Sequence, residues 1–224
     1  MVEVSTSLLS VEKDKVVKTL YNLEVAKTDY FHIDVMDGKF VKNFTNEIME
    51  EYCGYIKSIS TVPLDIHLMV ENVKEYIDTY LNYEPNSITF HVEAIKNKQE
   101  ILRLIKYIKE NGCKVGIAIN PDTDISELFD YLEHIHIALI MTVVPGEGGQ
   151  NLIESTIEKI KALKKYVDEN NLDVDIEADG GIKIENAQLI KDAGVNIIVS
   201  GSGIIKSEDF KKTIELLKSW YVKV

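Results

Sequence analysis

The sequence predicts an α/β fold, a single (β/α)8 TIM barrel spanning residues 1–224. Three observations carry the prediction. Eight strand-length apolar runs recur along the chain, amphipathic segments of helical period separate them, and the turn after the first run holds no glycine. Strands alternating with helices pair in parallel through right-handed crossovers, and eight such units in this length make a compact barrel. A doubly wound sheet that binds a dinucleotide would carry a glycine-rich turn after its first strand, where this chain reads LLSVEK.

Each element follows from its residues. EVSTSLL opens the chain as the first strand, and KDKVVKTLYNL follows with apolar residues at helical spacing. DYFHIDVM ends at Met36 and VPLDIHLM at Met69, both β-rich runs bounded by turn residues. ENVKEYIDTYL is the next helix, and SITFHVEA the fourth strand, ending at Ala94. NKQEILRLIKYIKENG begins near Asn and closes on Gly, as helices do. KVGIAIN then ends at Asn120, and IHIALIMTV at Val143. ESTIEKIKALKKYVDEN leads to VDIEAD, ending at Asp179, and VNIIVSGS closes the set at Ser202. The four prolines sit beside predicted strands, and no linker divides the chain.

Composition bounds the function. Apolar residues make up 45% and charged residues 28%, an ordinary globular balance that excludes disorder and coiled coil. The net charge is −12 and Arg103 is the only arginine, so the basic field of a nucleic-acid binder is missing. No apolar run has the length of a membrane span, and MVEVSTSLLS lacks the flank and core of a signal peptide. Cys53 and Cys113 form no metal knuckle or disulfide framework and read as buried thiols of a reducing compartment. The expected location is cytoplasmic. The outward helical surface leaves a homo-oligomer open.

Barrel active sites form at the C-terminal ends of the strands. Alternation puts His32, Asp34 and Met36 on one face of the second strand, and Asp65, His67 and Met69 on one face of the third. Glu177 and Asp179 share a face of the seventh. Polar groups facing a barrel interior cost free energy unless they are paired or bind metal. His32, Asp34, His67 and Asp179 make a two-histidine, two-carboxylate set for one divalent metal ion, and Zn, Fe, Mn or Co all suit it. Two carboxylates across a ligand can serve as acid and base on opposite sides of one carbon. Asp65 and Glu177 are natural acceptors for the imidazoles.

A lone buried histidine is ordinarily a satisfied core residue, so His91 is left unassigned. His134 and His136 lie at the start of a strand and read as structural. Met36, Met69 and Met141 end strands and read as an apolar pocket wall. PGEGGQ, DGGI and SGSG follow the sixth, seventh and eighth strands, where main-chain amides can hold a phosphate without arginine.

With these residues assembled, the sequence resembles the ribulose-phosphate 3-epimerase family. The blocks are TSLLS, FHIDVMDGKFVKN, LDIHLM, ITFHVEA, KVGIAINPDT, MTVVPGEGGQ, IEADGGI and IIVSGSGI, nearly end to end and in the family's order. The resemblance implies interconversion of D-ribulose 5-phosphate and D-xylulose 5-phosphate, a small-molecule phosphorylated ketose being the partner. It implies a divalent ion on His32, Asp34, His67 and Asp179, with Asp34 as proton acceptor and Asp179 as donor. It also implies substrate contacts from Ser7, His67 and Asp179, from Gly146, Glu147, Gly148 and Gly149, and from Gly180, Gly181, Gly201 and Ser202. Three positions depart from the family pattern: Lys42 replaces a usual Pro, Glu147 a usual aromatic, and Gly203 a usual Ala. These departures bear on substrate identity, so a sister epimerase acting on a six-carbon ketose such as D-allulose 6-phosphate is the alternative. A silent sugar-phosphate binder and a barrel lyase are the competitors from other classes. The lyase lacks its D-x-K-x-x-D array or strand-end lysine.

Overall fold

The computed structural model describes residues 2–219. Eight parallel strands close a barrel in sequence order, with β1 hydrogen-bonded to both β2 and β8. The strands are β1 Glu3–Ser7, β2 Tyr30–Met36, β3 Leu64–Met69, β4 Ser87–His91, β5 Lys114–Ile119, β6 Ile137–Met141, β7 Asp175–Asp179 and β8 Ile197–Ser200. The helices between them are α1 Val16–Val25, α2 Asn46–Ile59, α3 Val73–Leu81, α4 Lys98–Glu110, α5 Ser126–Phe129, α6 Ser155–Glu169 and α7 Ile184–Ala193. After β8 come α8 Ser202–Ile205 and α9 Phe210–Lys218. Among the described residues no helix is long and apolar enough to cross a membrane.

The barrel is the expected one, and the differences are local. In the fifth unit the helix shrinks to the single turn α5, and Leu128, Tyr131, Leu132 and Ile135 carry the burial between β5 and β6. SITFHVEA does not stay extended to Ala94. Its strand stops at His91, and Val92–Ala94 coil into a 3-10 turn.

The main core lies between sheet and helices. Ile33, Val35, Ile66 and Leu68 point outward to it, and α4 meets it with Ile101, Leu104, Ile105 and Ile108 at helical spacing. Asn97 caps α4 by accepting from the Gln99 N–H. The barrel interior is mostly polar on the β1–β4 and β7 side and apolar at Ala118, Leu139, Met141 and Val143.

Gly116 shows how tightly the interior is packed. A Cβ there would lie 2.2 Å from the Thr89 Oγ1 and 3.0 Å from its Cβ. Gly116→Ala should therefore cost about 1–3 kcal/mol in urea unfolding. The same change in a Thr89→Ala background should be nearly neutral, because every clashing atom belongs to Thr89. An equal cost in both backgrounds would refute the contact.

Candidate active site

Register brings the site together. In the β2–β3 ladder His32 pairs with Asp65, Asp34 with His67 and Met36 with Met69, so the two strands present matching rows to the interior. Asp179 ends β7, beside Met141 of β6.

Four donor atoms converge. His32 Nε2 lies 3.5 Å from Asp34 Oδ1, 3.4 Å from His67 Nδ1 and 3.7 Å from Asp179 Oδ2. His67 Nδ1 lies 3.7 Å from Asp34 Oδ1 and 3.4 Å from Asp179 Oδ2. Four ligands about 2.1 Å from a tetrahedral ion stand about 3.4 Å apart, so the spacing and donor types fit a divalent metal. The contacts among the four atoms are long for hydrogen bonds, the His32–His67 one reaching 3.4 Å, and a shared cation or protons between the atoms would satisfy them together.

Beneath this cluster, Asp65 accepts from Ser5 Oγ at 2.8 Å, Ser87 Oγ at 2.9 Å and His32 Nδ1 at 2.7 Å. An ionised carboxylate has no proton to give, so His32 carries a hydrogen on Nδ1 and turns Nε2 to the cluster. Burial pushes the Asp65 pKa up, but the His32 charge and these donors outweigh it and hold it at about 2. For Glu177 burial wins. Neither of its oxygens has a donor in reach, and the neighbouring Asp65 charge adds to the desolvation, so its pKa rises well above the usual value. The neutral acid can instead donate toward Asp65. Asp34 behaves oppositely. Burial is outweighed by His32 and His67, which hold its carboxyl well below the ordinary range. Asp34 and Asp65 in turn raise the His32 imidazole against the effect of its burial. Ser7 Oγ donates to Asp34 Oδ2 at 2.7 Å.

One cleft opens above the cluster. Its lining includes Ser7, Asp34 and Asp179, the β6-loop residues Gly146, Glu147, Gly148 and Gly149, then Gly180, Gly181, Gly201 and Ser202. His32 and His67 lie below the lining, fully buried. Met36, Met69 and Met141 also face the cleft, as a wall. Gly180 and Gly181 both have positive φ, and a Cβ on Gly181 would lie 2.5 Å from the Leu152 nitrogen. Asn43 Nδ2 donates to the Gly146 carbonyl at 2.7 Å, tying the β2 loop to the β6 loop. Glu147 and Lys42 are both exposed on the outer rim. His136 stays at the far end, its Nδ1 accepting from the Val115 N–H.

A sequence profile of the ribulose-phosphate 3 epimerase family matches residues 3–205. The chain belongs to the ribulose-phosphate 3-epimerase family. Its relatives include the ribulose-phosphate 3-epimerase of Escherichia coli K12, 35% identical over 99% of this chain and 96% of that one. The ribulose-phosphate 3-epimerase of Bacillus subtilis 168 is 36% identical, over 97% of this chain and 99% of its own. Among solved structures, the 3-hexulose-6-phosphate synthase of Salmonella typhimurium superposes with a TM-score of 0.67, covering 96% of each chain. At 15% identity that likeness shows the barrel fold alone. As a member of the epimerase family, the chain is an enzyme of that type.

One residue was missed by reading the sequence. His91 is fully buried beside the cluster, with its Nε2 at 2.9 Å from His67 Nε2. Its Nδ1 faces Glu93 Oε2 at 3.2 Å. Burial would raise the Glu93 pKa, but His91 and the donors of the β5 loop hold it at about 2. No motif marks this pair, since the 3-10 turn that brings Glu93 back to His91 is invisible in strand periodicity.

Proposed function

We propose that the chain interconverts D-ribulose 5-phosphate and D-xylulose 5-phosphate by removing and returning the proton at C3. The observation that carries this reading is the buried two-imidazole, two-carboxylate cluster, whose four donor atoms lie within 4.8 Å of one another beneath a glycine-lined cleft. Family membership supports the reaction type and a phosphorylated ketose as substrate.

Asp34 takes the C3 proton from one face of the sugar, and Asp179 gives a proton to the opposite face. In the reverse direction the two exchange tasks. Ser7 holds Asp34 by its second oxygen, which fixes the direction of the base. His32, Asp34, His67 and Asp179 would hold one divalent ion (Zn, Fe, Mn or Co), which would supply positive charge against the negative charge that develops when the C3 proton leaves. Main-chain amides of the 146–149, 180–181 and 201–202 turns hold the phosphate, as suits a chain whose only arginine is Arg103. The three methionines keep water from the reacting carbon.

The test is NMR in D2O with ribulose 5-phosphate, with and without a chelator. Deuterium entering at C3 together with xylulose 5-phosphate, both suppressed by chelator, is the expected result. Exchange only with a six-carbon ketose phosphate would reassign the substrate. Exchange with neither would remove the epimerase reading.

A further inference from the structure

The imidazoles of His67 and His91 meet end to end. Their ring centroids are 5.1 Å apart, their planes differ by 21°, and the two Nε2 atoms are 2.9 Å apart. An N···N contact of that length needs one hydrogen between the nitrogens. Two arrangements satisfy it. In one, His67 donates from Nε2, its Nδ1 is a bare lone pair, and His91 carries its own hydrogen on Nδ1. In the other, His91 donates from Nε2, and His67 carries its hydrogen on Nδ1, pointing at Asp34 and Asp179.

Glu93 decides between them. Its Oε1 accepts from the Asn120 N–H at 2.7 Å and from the Thr123 hydroxyl, while Oε2 faces His91 Nδ1. A carboxylate held this way can only accept, so the hydrogen of His91 must sit on Nδ1. That leaves His91 Nε2 as acceptor, and His67 must donate from Nε2.

We propose that His91 and Glu93 are positioning residues that lock His67 in its Nε2–H tautomer, keeping the Nδ1 lone pair free for the metal. The inference rests on the reading of His67 as a ligand.

Glu93→Gln supplies a sharp test. The backbone N–H of Asn120 needs an acceptor, so the amide oxygen of Gln takes that place and the NH2 turns toward His91 Nδ1. Every hydrogen in the relay then reverses, and His67 Nδ1 becomes a donor facing the cluster. Glu93→Ala removes the carboxylate without imposing the reversal. A purely structural role predicts the opposite order, with the isosteric Gln milder than Ala.

The experiment is a zinc titration against a chromophoric chelator for wild type, Glu93→Gln, Glu93→Ala and His67→Ala. It is joined by long-range 1H–15N NMR of the imidazoles in the zinc-loaded wild type. The expected result is a His67 bearing its hydrogen on Nε2, with Glu93→Gln raising the zinc Kd about 10–100-fold and more than Glu93→Ala does. Zinc affinity in Glu93→Gln no weaker than in Glu93→Ala overturns the inference while leaving the ligand reading in place, whereas a His67 hydrogen on Nδ1 in the zinc-loaded protein overturns both. Wild type that takes up no zinc, or His67→Ala that binds it as tightly, overturns the ligand reading and the inference together.

Discussion

Asp179→Asn is expected to abolish formation of xylulose 5-phosphate, with kcat/KM falling by about 10²–10⁴ or more. On the proposed mechanism the substitution removes a proton-transfer group, and it removes one of four converging donors as well. Folding should survive it. Asp179 ends its strand at the mouth of the barrel, and its backbone carbonyl, which accepts from the Thr142 N–H at 2.7 Å, is unchanged in Asn. The checks are C3 deuterium exchange beside a thermal melt of the same sample. Turnover within tenfold of wild type would remove Asp179 from the reaction. A collapsed melting transition would make it a structural residue instead.

Asp65→Asn should do the reverse and damage the fold more than the chemistry. Asp65 is buried beneath the cluster and accepts three hydrogen bonds there. Removing the charge beside His32 breaks a buried pair, for which about 3–5 kcal/mol is the typical loss. The pH dependence has a definite sign. The folded-state pKa of about 2 lies below the ordinary 3.8, so the carboxylate's stabilisation is present above about pH 4 and is lost as pH falls through about 2. That interval corresponds to about 2 kcal/mol. Asp65→Asn should be less stable at neutral pH and show a shallower acid arm between pH 4 and 2. Parallel acid arms in urea unfolding would show that Asp65 titrates no differently when folded.

The barrel and its four donors were legible because strand alternation is local. HIDVM and LDIHLM each state which residues share a face, and register only had to align two rows already written in the sequence. Asp179 was legible for the same reason, at the end of a run followed by paired glycines. Other features depend on contacts between distant segments. The raised pKa of Glu177 comes first from its burial inside the closed ring and then from the Asp65 charge on another strand, neither of which strand periodicity records. His91 was passed over because a single histidine on a strand reads the same whether it fills a core or braces a ligand. Only the 2.9 Å approach to His67 distinguishes the two.

The order of strands around the barrel also sets the order in which the site can come into being. His32, Asp34 and His67 sit on neighbouring strands joined by one short crossover, whereas Asp179 reaches them only through the β1–β8 seam or around β4, β5 and β6. A folding chain can therefore assemble three donors from a local β2–β3 pair, and the fourth arrives only with ring closure. On the proposed mechanism half a barrel holds half a reaction: Asp34 without Asp179 has no partner to return the proton. The proposed ion site and the proposed acid–base pair would thus be completed in the same step, the sealing of the ring.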